Sequence, residues 1–207
     1  MANDPGKNLL FAGVGGQGVL LVAELAARAA IHAGFDAKKT EVHGAAQRGG
    51  SVVSHVRFAS KVYSPLTPAG EVDILVALEK LEGLRWASFV RPSGLIILNE
   101  EERVPAQLTD KPVEYPRQID TFLIGKGFQT VLINATEIAT SLGNYRAANI
   151  VLLGAIADAA GIPMDSWMAV IRQHLPPKIL ELNINAFENG IELKRRTHAA
   201  ASHLTDH

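Results

Sequence analysis

"FAGVGGQGVLLVAEL", Phe11 to Leu25, sets four glycines between a short apolar run and a helical pattern. A strand that stops in glycines and resumes as a helix is how an α/β fold opens. "NLLFAG" is too short to be a helix and ends at Gly13. Val19, Leu20, Val22, Ala23, Ala26, Ala27 and Ala30 then repeat at helical spacing until Gly34. "DAKKTEV" follows as a second strand, so the segment reads as a βαβ unit and favours a parallel sheet.

Gly13, Gly15 and Gly18 fit the pattern G-x-G-x-x-G, with Gly16 and Gln17 inside it. Such a loop can bring backbone N–H groups and a helix start to a phosphate. It can equally be a tight turn that packs helix on strand. Glu41, at the end of the second strand, lies near the distance expected for a ribose contact. The rest of a dinucleotide-binding half is missing, because the chain runs into a Gly/Gln/Arg loop instead of a second crossover helix. That argues against NAD and leaves both readings of the loop open.

Further along, "SVVSHVRF" and "KVYSPL" are β-rich runs separated by "ASK", a connection that suits antiparallel neighbours. "EVDILVAL" is an apolar strand, "EGLRWASFV" a helix closed by "RPSG", and "LIILNE" another buried strand. "PVEYP" reads as a short edge strand between prolines. "TVLINATEIATSLGN" is a strand leading to a helix, with Asn134 as cap and Glu137 in the capping-box position. "YRAANIVLLGAIADAAG" is a sandwiched apolar helix ending at Gly161, and "DSWMAVIRQHL" is a helix with Asp165 as its cap. Leu180, Ile184, Phe187 and Ile191 line one face of a last helix. The expected fold class is α/β: one three-layer α/β/α domain over residues 1–193, with a mixed, mainly parallel sheet and a helical C-terminal third. Residues 194–207 lack periodicity and are expected to be a mobile tail.

The 207 residues suffice for one sizeable core. A net charge of −1 with 20% charged residues gives no electrostatic footprint for nucleic acid. No run approaches the roughly 20 apolar residues of a membrane span, so a cytoplasmic location is expected. The chain has no cysteine, which excludes disulfides, a cysteine nucleophile and thiolate-ligated zinc or iron–sulfur sites of its own. No G-x-S-x-G elbow and no H-x-x-x-H or paired-carboxylate spacing is present, so neither a hydrolase triad nor a metal site is expected. Glu79 ends an apolar strand but also begins a helix, where an acid suits the dipole.

"EVHGAAQRGGSVVSHVRF" is the densest polar stretch. It collects His43, Gln47, Arg48, Gly49, Gly50, His55 and Arg57. Arg48 before two glycines is a setting where a guanidinium and bare backbone meet an anion together. Alternation puts Ser51, Val53, His55 and Arg57 on one strand face and Val52, Ser54, Val56 and Phe58 on the core face. The polar stripe is either a solvated sheet face with ordinary histidines or part of a shared binding surface.

Taken in order, "GVGGQGVLLVAELAARAA", "KKTEVHGAAQRGGSVVSHVRF", "VYSPL" and "DILVALEKLEGLRW" resemble the gamma-type domain of 2-oxoacid:ferredoxin oxidoreductases. "LGNYRAANIVLLGAIADAAGIP" and "PPKILELNINAFENG" are most similar to the small subunit of the family's indolepyruvate branch. The likeness spans about Leu9 to Leu193; Ala45 and Ala46 stand where Met-Ser or Met-Ala is more usual. The resemblance implies a subunit of an enzyme that oxidatively decarboxylates a 2-oxoacid, indolepyruvate or another arylpyruvate, to the acyl-CoA. It implies thiamine diphosphate, Mg2+ and [4Fe–4S] clusters on a large alpha partner subunit, ferredoxin as electron acceptor through the complex, and coenzyme A as co-substrate. This chain would hold no cofactor alone and would not be active alone. On that reading Gly15 to Gly18 and the Gln47–Gly50 loop line the side facing the thiamine centre, with Arg48 supplying charge and His43 and His55 as second choices, and Gly13 joins the cofactor-binding set. The rival reading is a free-standing NAD- or FAD-binding module or small dehydrogenase; a third is a purely structural subunit.

Overall fold

The computed structural model describes residues 6–43, 50–103 and 114–202. Six strands form one sheet: β1 (Lys7–Val14), β2 (Asp36–His43), β3 (Ser51–Ala59), β4 (Val72–Ala77), β5 (Val90–Asn99) and β6 (Gln129–Ile133). Their spatial order is β2-β3-β1-β4-β5-β6. β1, β4, β5 and β6 run parallel, and β3 lies antiparallel between β1 and β2. The expected mixed, mainly parallel sheet is therefore present.

The glycine loop leads into α1 (Val19–His32), which returns the chain to β2. β2 does not take the place beside β1, however. It doubles back into β3, and β3 fills that position, Val14 opposite Ser51 and Lys7 opposite Phe58. The expected hairpin of "SVVSHVRF" with "KVYSPL" does not form. Both edges of β3 are already occupied, and residues 61–66 carry no strand.

The sheet is covered on both faces. On one side Leu9, Phe11, Val56, Phe58, Val76 and Ile97 pack with α1, α5 (Ala148–Ala160), α6 (Met164–His174) and α7 (Pro177–Ser202). On the other, Leu10, Ala12, Val53, Leu75, Ile96 and Leu98 meet residues of α3 (Ile119–Gly125) and the segment after α2 (Lys80–Trp86). β3 is thus buried on both faces, and the face carrying His55 is not a solvated stripe: Val53 and His55 are both buried. α5 is apolar on most of its circumference, Asn149 and Asp158 apart, and stands between the sheet and α7. The two helices touch through glycines. A Cβ at Gly154 would lie 2.0 Å from the Phe187 carbonyl oxygen, and one at Gly190 would lie 1.9 Å from that of Val151.

Several local expectations need correcting. Asp165 sits in the first turn of α6 but does not cap it; the Pro163 carbonyl opens the helix, accepting from Ser166 N at 2.9 Å. Residues 114–116 of the "PVEYP" segment carry no strand. α7 continues as helix to Ser202, through part of the segment read as an aperiodic tail. Asn134 does cap α4 (Ala135–Ser141), its Oδ1 accepting from Glu137 N at 3.1 Å.

Candidate functional site

The glycine loop lies at the carboxyl ends of the parallel strands, where α/β sheets place their ligands. From β1 the chain crosses through α1 to one side of the sheet, while β4 continues through α2 to the other. The loop therefore sits at the switch point. Gly15 N–H donates to the Gly50 carbonyl at 3.0 Å. One bond thus joins the glycine loop to the end of the Gln47–Gly50 loop. Gln47, Arg48 and Gly49 themselves lie outside the described residues, as does the His43 side chain.

Each residue of the glycine loop has a readable job. Gly18 adopts φ +83° as the residue before α1, and a Cβ there would stand 2.2 Å from Asn149 Nδ2. Gly16 adopts φ +97°, yet a Cβ there meets nothing within 4 Å, so it faces open space. Gly13 is close-packed, its notional Cβ 2.9 Å from both Gln17 Oε1 and a Val19 methyl. Gln17 is a staple: its Oε1 accepts from Val14 N at 2.7 Å and its Nε2 donates to the Leu78 carbonyl at 3.0 Å. Both functional groups of that amide are spent on joining the ends of β1 and β4.

Beside this loop is a crevice of about 340 Å³, its open mouth included. Gly16 and Gln17 form one wall, Asn99 at the end of β5 with Glu101 and Arg103 beyond it another, and Arg146 with Asn149 the third. Asn99 is buried; it donates to the Leu78 carbonyl at 3.1 Å and accepts from Ala135 N at 3.0 Å. Glu101 accepts from Thr136 Oγ1 at 2.9 Å and from Arg103 Nε at 2.6 Å. Arg146 lies against Tyr145, its guanidinium carbon 5.9 Å from the ring centre. The first turn of α1 carries no acidic residue. Arg146 and the Glu101–Arg103 ion pair thus line one opening, with one positive charge in excess. Sequence reading missed Asn99, Arg103, Arg146 and Asn149. A polar residue closing the apolar strand "LIILN" and a lone Asn in the apolar helix "AANIVLLGAIA" were the available signals.

His55 is not brought to this crevice. It is 2% exposed, four residues along β3 from Ser51, and its Nδ1 accepts from Thr67 N at 3.3 Å. Its ring meets Phe89 edge-on. Burial pushes its pKa down, and nearby Arg57 pushes the same way. Arg57 donates to Asn8 Oδ1 at 2.8 Å and to the carbonyls of Ser64 and Leu66 at 3.3 and 2.9 Å. Both residues hold the segment after β3. Glu41 is separated from β1 by β3 and binds Lys39 Nζ at 2.7 Å, so it is not placed for the ribose contact of a dinucleotide fold.

Among the described residues no group of three or more histidines and acids is arranged to hold a metal ion. With no cysteine in the sequence, these residues do not fit a thiolate-ligated cluster. No helix among the described residues is long and apolar enough to cross a membrane.

The family model described as "Pyruvate ferredoxin/flavodoxin oxidoreductase" matches residues 8–193. The chain belongs to that family. It is 35% identical to "Indolepyruvate oxidoreductase subunit IorB" of Thermococcus kodakarensis over 190 residues, which is 89% of this chain and 94% of that protein. In fold it matches the gamma subunit of a keto/oxoacid ferredoxin oxidoreductase from Geobacter sulfurreducens. The TM-score is 0.71 at 23% identity, covering 92% of this chain and 99% of that one. It also matches a 2-oxoglutarate:ferredoxin oxidoreductase from Magnetococcus marinus with TM-score 0.73 and 21% identity. There the likeness covers 93% of this chain but 32% of the other.

Proposed function

We propose that this chain is the small subunit of a 2-oxoacid:ferredoxin oxidoreductase acting on indolepyruvate or another arylpyruvate. In this reading a large partner subunit carries thiamine diphosphate, Mg2+ and the [4Fe–4S] clusters. The cofactors supply the carbanion and electron-transfer chemistry. This chain supplies shape and charge: the glycine loop and the Gln47–Gly50 loop close one side of the site, exclude water and hold an anionic part of coenzyme A or the substrate carboxylate. The likeness to IorB supports the substrate class. The Magnetococcus marinus relative of the same fold, described with 2-oxoglutarate, coenzyme A and succinyl-CoA bound, is consistent with the co-substrate.

The observation that carries the reading is the bond from Gly15 N to the Gly50 carbonyl. It joins two glycine-rich loops at the switch point of the sheet, with Arg48 two residues before Gly50. Replacing Arg48 with Ala in the assembled complex should raise KM for the oxoacid or for coenzyme A while leaving assembly intact. Unchanged constants and turnover would leave the loop a structural turn. Micromolar binding of NAD or FAD to the isolated chain, read by titration calorimetry, would favour the nucleotide-module alternative instead.

A further inference from the structure

α2 begins with two buried acids three residues apart, Glu79 and Glu82. Glu79 caps the helix, its carboxylate accepting from Glu82 N at 2.9 Å. An acid at the position of Glu82 ordinarily turns back to the N–H groups of its own helix start. Glu82 does not. Its Oε2 accepts from Ser51 Oγ, and its Oε1 lies 3.5 Å from Arg85 Nε. Both oxygens are thus engaged away from the helix start. Close packing gives the side chain its reach. A Cβ at Gly83 would stand 2.4 Å from a Leu98 methyl and 3.1 Å from the Ala77 Cβ, so α2 lies hard against the sheet. Its neighbour Glu82 is thereby delivered to the start of β3.

Packing alone does not call for an acid here. An apolar side chain between α2 and the sheet would need no charge taken out of water. What the carboxylate adds is a hold on Ser51, the last rung of the ladder between β3 and β1, opposite Val14. One residue beyond that rung, Gly50 offers its carbonyl to Gly15 N–H at 3.0 Å. Gly15, Gly16 and Gly50 have no side chains by which the fold could hold them, so this junction is fixed through its neighbours. On the β1 side the neighbour is Gln17, bound to Val14 N and the Leu78 carbonyl. On the β3 side it is Ser51, and Glu82 holds Ser51. The open side of Gly16, where an added Cβ meets nothing within 4 Å, follows directly after the bonded Gly15. A shift of Gly50 would therefore move the backbone that faces the opening.

We propose that Glu82 is a positioning residue for the glycine loop. Through Ser51 it fixes the Gly50 carbonyl, and through that bond the Gly15–Gly16 backbone that walls the substrate site. Glu82 touches no substrate itself. The proposal rests on the subunit reading above, in which this face closes the site of the large partner.

The test measures KM for the oxoacid and for coenzyme A, together with kcat, in the assembled complex of both subunits. Ser51→Ala and Glu82→Ala should each raise one of these KM values by about 10-fold, with kcat within about two-fold of wild type. Glu82→Gln, whose amide oxygen can still accept from Ser51, should restore the wild-type value. Ser51→Ala combined with Glu82→Ala should raise KM no further than either alone, because both break one contact. In the full chain without its partner, amide exchange at Gly15 should quicken in Ser51→Ala and Glu82→Ala and stay slow in Glu82→Gln. Should Glu82→Ala not fold, Ser51→Ala carries both readouts. Wild-type constants in Ser51→Ala, additive losses in the double variant, or no rescue by Glu82→Gln would overturn the proposal. Arg48→Ala separates the two readings. If it too leaves every constant unchanged, the site reading fails; if it raises KM and Ser51→Ala does not, only the positioning role fails.

Discussion

The Tyr115 hydroxyl donates to the carboxylate of Glu79, and the same oxygen accepts Arg103 N–H at 3.1 Å. The other Glu79 oxygen accepts from Glu82 N at 2.9 Å and so caps α2. Glu79 is 1% exposed, yet every bond it makes is to a donor. It ties both flanks of the segment 104–113 to the start of one helix. The sequence reading of Glu79 as a helix-start acid is what the geometry shows. Removing the phenol leaves a buried carboxylate short of a donor, so Tyr115→Phe should lower stability by about 1–3 kcal/mol. Urea unfolding measures it. Burial and Glu79 both push the Tyr115 pKa far above its ordinary 10.0. The neutral phenol is therefore stabilised by folding, and that contribution fades as pH rises above the unfolded value. Alkaline titration should show this tyrosine ionising only as the chain unfolds.

The glycines of the loop divide by what a methyl group would meet. Gly18→Ala adds strain at φ +83° and a clash with Asn149, whereas Gly16→Ala adds strain alone in open space. Gly16→Ala should cost on the order of 1–2 kcal/mol. Gly18→Ala should cost more and loosen the start of α1, visible as faster amide exchange at Leu21 and Val22, which bond to Gly18 O.

At the α5–α7 contact no such tolerance exists. The notional Cβ of Gly154 points at a backbone carbonyl, which cannot rotate away as a side chain could. Gly154→Ala must push α7 off α5, and a midpoint of unfolding lowered by several degrees or loss of soluble protein is the expected result. Ser141→Ala, whose exposed hydroxyl only returns to the Ile138 carbonyl at 2.7 Å, should stay within about 0.5 kcal/mol of wild type.

What the sequence made legible followed from local physics. Period-two and period-3.6 patterning located β1, α1, β4, β5 and the buried α5, and the Asn134 cap followed from side-chain chemistry next to a helix start. Strand pairing was a different problem. "DAKKTEV" after a helix is locally the second strand of a βαβ unit, and nothing within it reveals that β3 will insert beside β1. For the same reason the face of His55 and Arg57 stayed open between a solvated stripe and a shared surface: alternation tells which residues share a face, but not whether a later loop covers it. Gln17 was expected as a cofactor contact of the loop, and its role as a β1–β4 staple depends on Leu78, 61 residues away. The crevice walls from Asn99 to Asn149 are brought together only by the sheet order.

His55 carries a pH dependence whose sign follows from its environment. Its pKa lies below the ordinary 6.5 because the ring is buried, with the Arg57 charge adding to the effect. The folded chain therefore binds its proton less readily than the unfolded chain. The stabilisation is complete above pH 6.5 and declines as pH falls below it, until the folded ring itself protonates. A protonated Nδ1 can no longer accept from Thr67 N, so the Tyr63–Leu66 loop should loosen in the same range. His55→Asn keeps an acceptor near that position and removes the titration. Thermal midpoints compared at pH 7.5 and pH ~5.5 should fall further for the wild type than for His55→Asn. Amide exchange at Thr67 should accelerate in the wild type beyond the ordinary effect of pH. Equal pH sensitivity in both proteins would overturn the assignment to His55, because Asp36, which anchors Val62 at the other end of the loop, is held below the usual carboxylate pKa by that bond and stays ionised across this range.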